Sequence, residues 1–157
     1  MMGNFERVRY ETLNAKQKEL FNFQKIAASL ADYGFNCIKL ADDWQGADFL
    51  AYHFNGVTTL RVQLKSRIAI QKKYEGKDIW IAFPHKGFWY LIEHDQLVAR
   101  IGEHTDWLES PSWKHNNGYS SISINAALLN SLADNKVGPV YGEVLETDNQ
   151  YVLAATR

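Results

Sequence analysis

Asp48, Gln63 and Lys65 stand at the ends of "ADFLAYHFNGVTTLRVQLK" (47–65), a stretch that otherwise reads as core. A carboxylate oxygen and an amide oxygen are hard donors that suit Mg²⁺ or Mn²⁺. Such an ion polarises a phosphoryl oxygen and activates water. A lysine beside it orients that water or stabilises charge developing on the phosphate. Together these residue types suit hydrolysis of a phosphodiester. The competing reading is an ordinary solvated hairpin end whose Asp–Lys contact contributes little.

Their meeting depends on register. Asn55-Gly56 is a strong two-residue turn signal, because both positions tolerate positive φ. With that turn, Phe54 faces Val57, Tyr52 faces Thr59, Leu50 faces Arg61 and Asp48 faces Gln63. Side chains alternate faces, so Lys65 shares the face of Gln63. The three groups then lie within about 5–8 Å of one another. Phe49, Ala51, Leu60, Val62 and Leu64 form the opposite, core face. A bulge in the hairpin would undo this arrangement.

Other elements must hold that hairpin. "NAKQKELFNFQKIAASLADYG" (14–34) predicts a helix, capped by Asn14 with Gln17 at the capping-box position and stopped by Gly34. Leu20, Phe23, Ala27, Leu30 and Ala31 share one side at helical spacing. "FNCIKL" (35–40) predicts a strand and "ADDWQG" a polar loop. "DIWIAF" and "GFWYLIE" predict two more strands, joined by a turn around Pro84 to Gly87. "HDQLVARIGEH" holds a short helix, "TDWLESPSWKHNNG" reads as loop, and "YSSISI" alternates as a strand does. "NAALLNSLADN" predicts a second amphipathic helix capped by Asn125. The tail "VYGEVLETDNQYVLAATR" is ambiguous and adds edge strands at most. The order predicts an α/β (α+β) sandwich, a mixed sheet with a long N-terminal helix on one face.

Composition bounds the rest. The 157 residues favour one domain spanning 1–157, and 46% hydrophobic content allows a sizeable core. A net charge of −1 gives no global nucleic-acid signature. Locally, however, residues 61–77 hold Arg61, Lys65, Arg67, Lys72, Lys73 and Lys77 against Glu75 alone. Such a run holds a nucleic-acid backbone or forms a solvated loop. Arg67 is the first choice for a phosphate contact if the strand continues past Lys65. Cys37, the one cysteine, excludes an internal disulfide framework, and no histidine spacing suits zinc. With no long apolar segment, the chain reads as soluble and cytoplasmic.

Asp48, a hairpin and then Gln63-Leu64-Lys65 resemble the PD-(D/E)XK nuclease superfamily, in its variant with Gln for the second acid. The preceding "FQKIAASLADYGFNCIKL" and the following "DIWIAFPHKGFWYLIEHDQL" are similar to elements around that motif in intron-encoded and restriction-type endonucleases. The resemblance spans about residues 10–97. It implies a restriction-endonuclease-like fold with an αβββ-type core, followed by C-terminal strands and a helix. It implies Asp48 as central metal ligand, Gln63 as second ligand or water-positioning group, and the Leu64 carbonyl completing the shell. Lys65 would act on water or phosphate. The first helix often contributes a Glu; Gln24 is the best-aligned position here and Glu19 the alternative. The resemblance further implies Mg²⁺ or Mn²⁺ and nucleic acid as partner (DNA in preference to RNA), and allows a homodimer; from the basic run, Arg61, Arg67, Lys72 and Lys73 would lie against the nucleic-acid backbone. Ala47 stands where a proline often precedes the Asp, and Gln63 removes one negative charge. Two alternatives follow: a non-catalytic nucleic-acid-binding module on the same fold, and a protein-interaction or immunity-type protein.

Overall fold

Asn14 opens the first helix as its sequence requires. Its side-chain oxygen accepts from the Gln17 N–H at 2.9 Å, and Gln17 Oε1 accepts from the Asn14 N–H at 3.0 Å, a reciprocal capping box. In the computed structural model, which describes residues 3–141, 144–147 and 150–153, this helix is α1, Ala15–Ala31. Gly34, at φ +84°, turns the chain into the first strand; the left-handed region is open to glycine without steric cost. α1 is rotated from the predicted arc. Ile26 and Leu30 are its buried residues, whereas Leu20 and Ala31 are exposed. Ile26, absent from the predicted stripe, recentres the buried face, because it and Leu30 one turn on pack into the sheet against Phe49, Val62 and Trp89.

β1 (Phe35–Trp44), β2 (Ala47–His53) and β3 (Thr59–Leu64) form an antiparallel meander. β1 runs through "ADDW", which the sequence reads as loop, after a register shift between Lys39 and Trp44. β4 (Ile68–Gln71) and a 3-10 turn (Lys72–Tyr74) cross over to β5 (Ile79–His85), which pairs parallel with β3. β6 (Phe88–Glu93) pairs antiparallel with β5 through a Lys86-Gly87 turn, both residues at positive φ. α2 (His94–His104), α3 (Pro111–Asn116), β7 (Gly118–Ser121), α4 (Ala126–Ser131) and β8 (Lys136–Pro139) follow. The main sheet has six strands in the order β1-β2-β3-β5-β6-β8. This is the expected fold class: a mixed sheet with the long N-terminal helix on one face.

The sheet separates two cores. On the α1 side, Ile26 and Leu30 pack with Phe49, Val62, Ala82 and Trp89. On the other side, Ile79, Ile81, Phe83 and Ile92 pack with Leu97, Ile101, Trp113 and Leu128. β5 and β6 are therefore covered on both faces, which is why they read as apolar runs without polar alternation. β4 pairs with β7 in a second, two-stranded sheet on the α2 side. The sequence reads this region as a basic loop, yet Ile68, Ala69 and Ile70 are buried.

The segment read as loop at 105–118 contains α3, capped by Ser110 with Pro111 at its first position. Its tryptophans are structural: Trp107 stacks on Tyr119 at 4.8 Å, and Trp113 is buried. In the tail, β9 (Val144–Thr147) and β10 (Gln150–Leu153) pair with each other in a separate two-stranded sheet. The rest of the predicted tail, at 142–143, 148–149 and 154–157, lies outside the described residues. No helix among the described residues is long and apolar enough to cross a membrane.

Candidate functional site

The hairpin keeps two of the four predicted pairs by a different turn: Phe54 and Val57 lie in the loop, and Asp48 does not pair with Gln63. Tyr52 pairs with Thr59, Leu50 with Arg61 and Phe49 with Val62. At the tip, only Gly56 takes positive φ, at +73°. The His53 N–H donates to Thr58 O at 2.9 Å and the Gly56 N–H to His53 O at 3.0 Å. Asn55 Oδ1 accepts from the N–H groups of Val57 and Thr58. The loop thus spans residues 54–57, yet a four-residue loop closed by His53 and Thr58 keeps the register of the two-residue turn.

β2 and β3 part at Asp48. Beyond the Phe49–Val62 pair, the Asp48 carboxylate takes over from the backbone and accepts the Leu64 N–H at 2.8 Å. β3 stays with β5: Gln63 pairs with Ile81, and the Lys65 N–H donates to Ala82 O at 2.8 Å. The result is a fork between strands with a carboxylate bridging it. Gln63 is 7% exposed, and its buried Oε1 has no hydrogen-bond partner among the described residues. A buried carbonyl oxygen in that condition is missing a donor or a cation.

Burial dominates the electrostatics. It pushes the Asp48 carboxyl up; the Leu64 N–H opposes, Asp43 adds to the rise, Lys65 lowers it and Glu19 raises it. Burial lowers the Lys65 ammonium, with the Asp48 charge opposing. The two form no direct ion pair among the described residues. Tyr74 joins the group unforeseen by the sequence. It is 3% exposed with an unpartnered buried hydroxyl, pushed up to about 12 by burial and then by Asp43 and Asp48. The Lys65 and Lys73 ammoniums lie 5.6 and 5.1 Å from its ring centroid. Gly46, at φ +88°, makes room for that ring, since a Cβ there would come within 3.1 Å of it. Nothing local in the sequence signals Tyr74, because the crossover from β3 to β5 brings it in.

Gln24, the helix residue aligned with the nuclease pattern, is exposed on α1. The rotation set by Ile26 turns it away from the sheet. Glu19 is spaced seven residues before Ile26 and eleven before Leu30, on the same stripe. It lines a cavity of about 250 Å³ with Leu64, Lys65 and Ser66, and it pairs with Lys39 at 3.1 Å. The basic residues separate as well. Arg67 lies exposed in a bend, because β3 ends at Leu64 and does not carry it onward. Lys72 lies over Trp113 at 5.3 Å. Arg61 and Lys73, with Lys77, line a cavity of about 480 Å³ next to Gly46 and Tyr74. The guanidinium of Arg61 donates to the Lys77 carbonyl.

Among the described residues no group of three Asp, Glu, His or Cys side chains converges as a metal site. A cation here would rest on Asp48, the free Gln63 oxygen, backbone and water. That donor set fits Mg²⁺, which keeps several waters and takes one or two carboxylates.

Two solved structures are similar. Hjc of Archaeoglobus fulgidus, a Holliday junction resolvase from an archaeal hyperthermophile, matches 47% of this chain and 76% of its own, at 16% identity and TM-score 0.36. The bacterial homing endonuclease I-Ssp6803I matches 71% of this chain and 78% of its own, at 12% identity and TM-score 0.43. No family model and no curated protein matches the chain.

Proposed function

We propose that this protein is a metal-dependent nuclease, one restriction-endonuclease-like domain that hydrolyses phosphodiester bonds inside the cell, in DNA before RNA. The observation that carries the reading is the strand fork. There a desolvated carboxylate is bonded to the strand that carries both a buried amide oxygen without a partner and a desolvated lysine. These groups cost stability where they are, and such costs gather at functional sites. Asp48 and Gln63 would hold Mg²⁺ or Mn²⁺, which when bound supplies polarisation of a phosphoryl oxygen and a lowered pKa for water. The Leu64 N–H fixes the Asp48 carboxylate in one orientation. Lys65, with the Tyr74 ring against it, offers a cation to charge developing on the phosphate.

The test is incubation of a supercoiled plasmid, and separately of a labelled RNA, with Mg²⁺ or Mn²⁺. Cleavage of the plasmid that is lost in both Asp48→Ala and Lys65→Ala supports the reading. Cleavage that survives both substitutions overturns it.

One observation favours a second reading, a binding module without cleavage. Among the described residues no three Asp, Glu, His or Cys side chains converge at the fork, and Glu19 is paired with Lys39. That reading expects salt-dependent nucleic-acid binding, no cleavage, and no calorimetric signal for Mg²⁺ or Mn²⁺.

A further inference from the structure

We propose that the cavity walled by Arg61, Lys73 and Lys77 is a binding site for a phosphomonoester, the phosphorylated end of a nucleic-acid strand. The proposal rests on the nuclease reading for its substrate class and goes on to name which part of the substrate is gripped.

The cavity measures about 480 Å³, within the usual size of a small-ligand site. Its charged lining is Arg61, Lys73 and Lys77 against Asp43 alone. That surplus of two positive charges matches a phosphomonoester, which carries about −1.5 to −2 at neutral pH. A phosphodiester within a strand carries one negative charge and would leave the cavity electropositive. The cations come from separate segments, Arg61 from β3 and the lysines from the crossover before β5. The bond from the Arg61 guanidinium to the Lys77 carbonyl joins them. It occupies part of a five-donor group and holds the remainder in place. Tyr74 lies on the same wall, and its buried hydroxyl lacks an acceptor.

The cavity also adjoins the fork. Arg61 precedes Gln63 by two residues on the same strand face, about 7 Å away. The Tyr74 ring has Lys73 on the cavity side of this arrangement and Lys65 on the fork side, both within cation–π reach. An end phosphate seated among Arg61, Lys73 and Lys77 therefore sets the neighbouring internal phosphodiester toward Gln63 and Lys65.

The experiment measures fluorescence anisotropy of one oligonucleotide sequence carrying a 5′-phosphate, a 3′-phosphate or neither. The protein is the full chain with Asp48→Asn, so that nothing is cut. One phosphorylated form is expected to bind about tenfold tighter than the unphosphorylated form, the effect of one charge-assisted contact. Lys73→Gln with Lys77→Gln is expected to abolish that difference, with folding checked by circular dichroism; both lysines are exposed. Equal affinity for all three probes, or a preference that survives the double substitution, overturns the proposal. A free deoxynucleoside 5′-monophosphate that competes as well as the phosphorylated strand also overturns it, by assigning the cavity to free nucleotides. Cleavage is read separately with wild-type protein. Cleavage without an end preference refutes the cavity assignment alone, and an end preference without cleavage refutes the nuclease reading alone.

Discussion

Replacing Gln63 with Met should stabilise the apoprotein and remove its response to divalent cations. Gln63 lies between the two cores at 7% exposure, next to Ile81, with its carbonyl oxygen unpartnered. A buried acceptor without a donor costs roughly 1–3 kcal/mol, and an apolar side chain of similar shape escapes that cost. Met matches the length and flexibility of Gln and fills irregular space. Allowing for imperfect packing of the thioether, the expected gain is about 1–2 kcal/mol, or about 3–6 °C in melting temperature for a chain of this size. Wild type should in turn gain about 1.4 kcal/mol at a Mg²⁺ concentration ten times its dissociation constant. The variant should gain much less. Thermal melts followed by circular dichroism, with EDTA and with Mg²⁺, read both effects. A Gln63→Met variant that melts below wild type refutes the reasoning, because the amide would then be held by the fold. Equal stabilisation of both proteins by Mg²⁺ removes Gln63 from the donor set.

Asp48→Asn should raise the melting temperature at pH 7. Burial raises the folded pKa of Asp48 above its unfolded value, so its contribution is favourable below the unfolded pKa and is lost as pH rises through the folded one. The gain from Asn should vanish in acid, which melts across a pH series will read. Cleavage by wild type should fall with decreasing pH sooner than an ordinary carboxylate would dictate. Gly46→Ala should cost about 1–3 kcal/mol in urea denaturation, from a left-handed residue and a Cβ driven against Tyr74. His94→Leu should cost about 2–4 kcal/mol. The buried ring accepts the Gln71 N–H at 3.1 Å and bonds Asp95 at 3.0 Å, so faster amide exchange at Gln71 is the second readout.

The hairpin register was legible in the sequence because register is a counting argument. Tyr52–Thr59 and Leu50–Arg61 follow from partners summing to a constant, and the turn found at 54–57 preserves that constant although its φ angles differ from the expected pair; the expected Asp48–Gln63 pair gives way to the bond from the Leu64 N–H to Asp48. The helix position was not legible to the same degree. Apolar spacing is satisfied by several arcs, and the choice of Ile26 over Leu20 is made by the sheet it packs on. That choice leaves Gln24 exposed and Glu19 in the cavity lined by Leu64 and Lys65. β4 escaped notice because Arg67, Lys72 and Lys73 flank a four-residue strand, and charge in the window outweighs so short an apolar run. Tyr74 and the cavity depend on a crossover whose path no local pattern encodes.

The parallel pairing of β3 with β5 sets the order in which the fork is assembled. Lys65 is tethered through Ala82, and Gln63 is paired with Ile81, so a nascent chain that has emerged only as far as Asp78 holds the hairpin without a fixed lysine. The pairing closes a long loop, a slow event compared with hairpin formation. On the proposed nuclease reading, competence is therefore deferred until the middle of the polypeptide has been synthesised and docked. A truncated product ending before residue 79 should, on that reading, leave nucleic acid uncut.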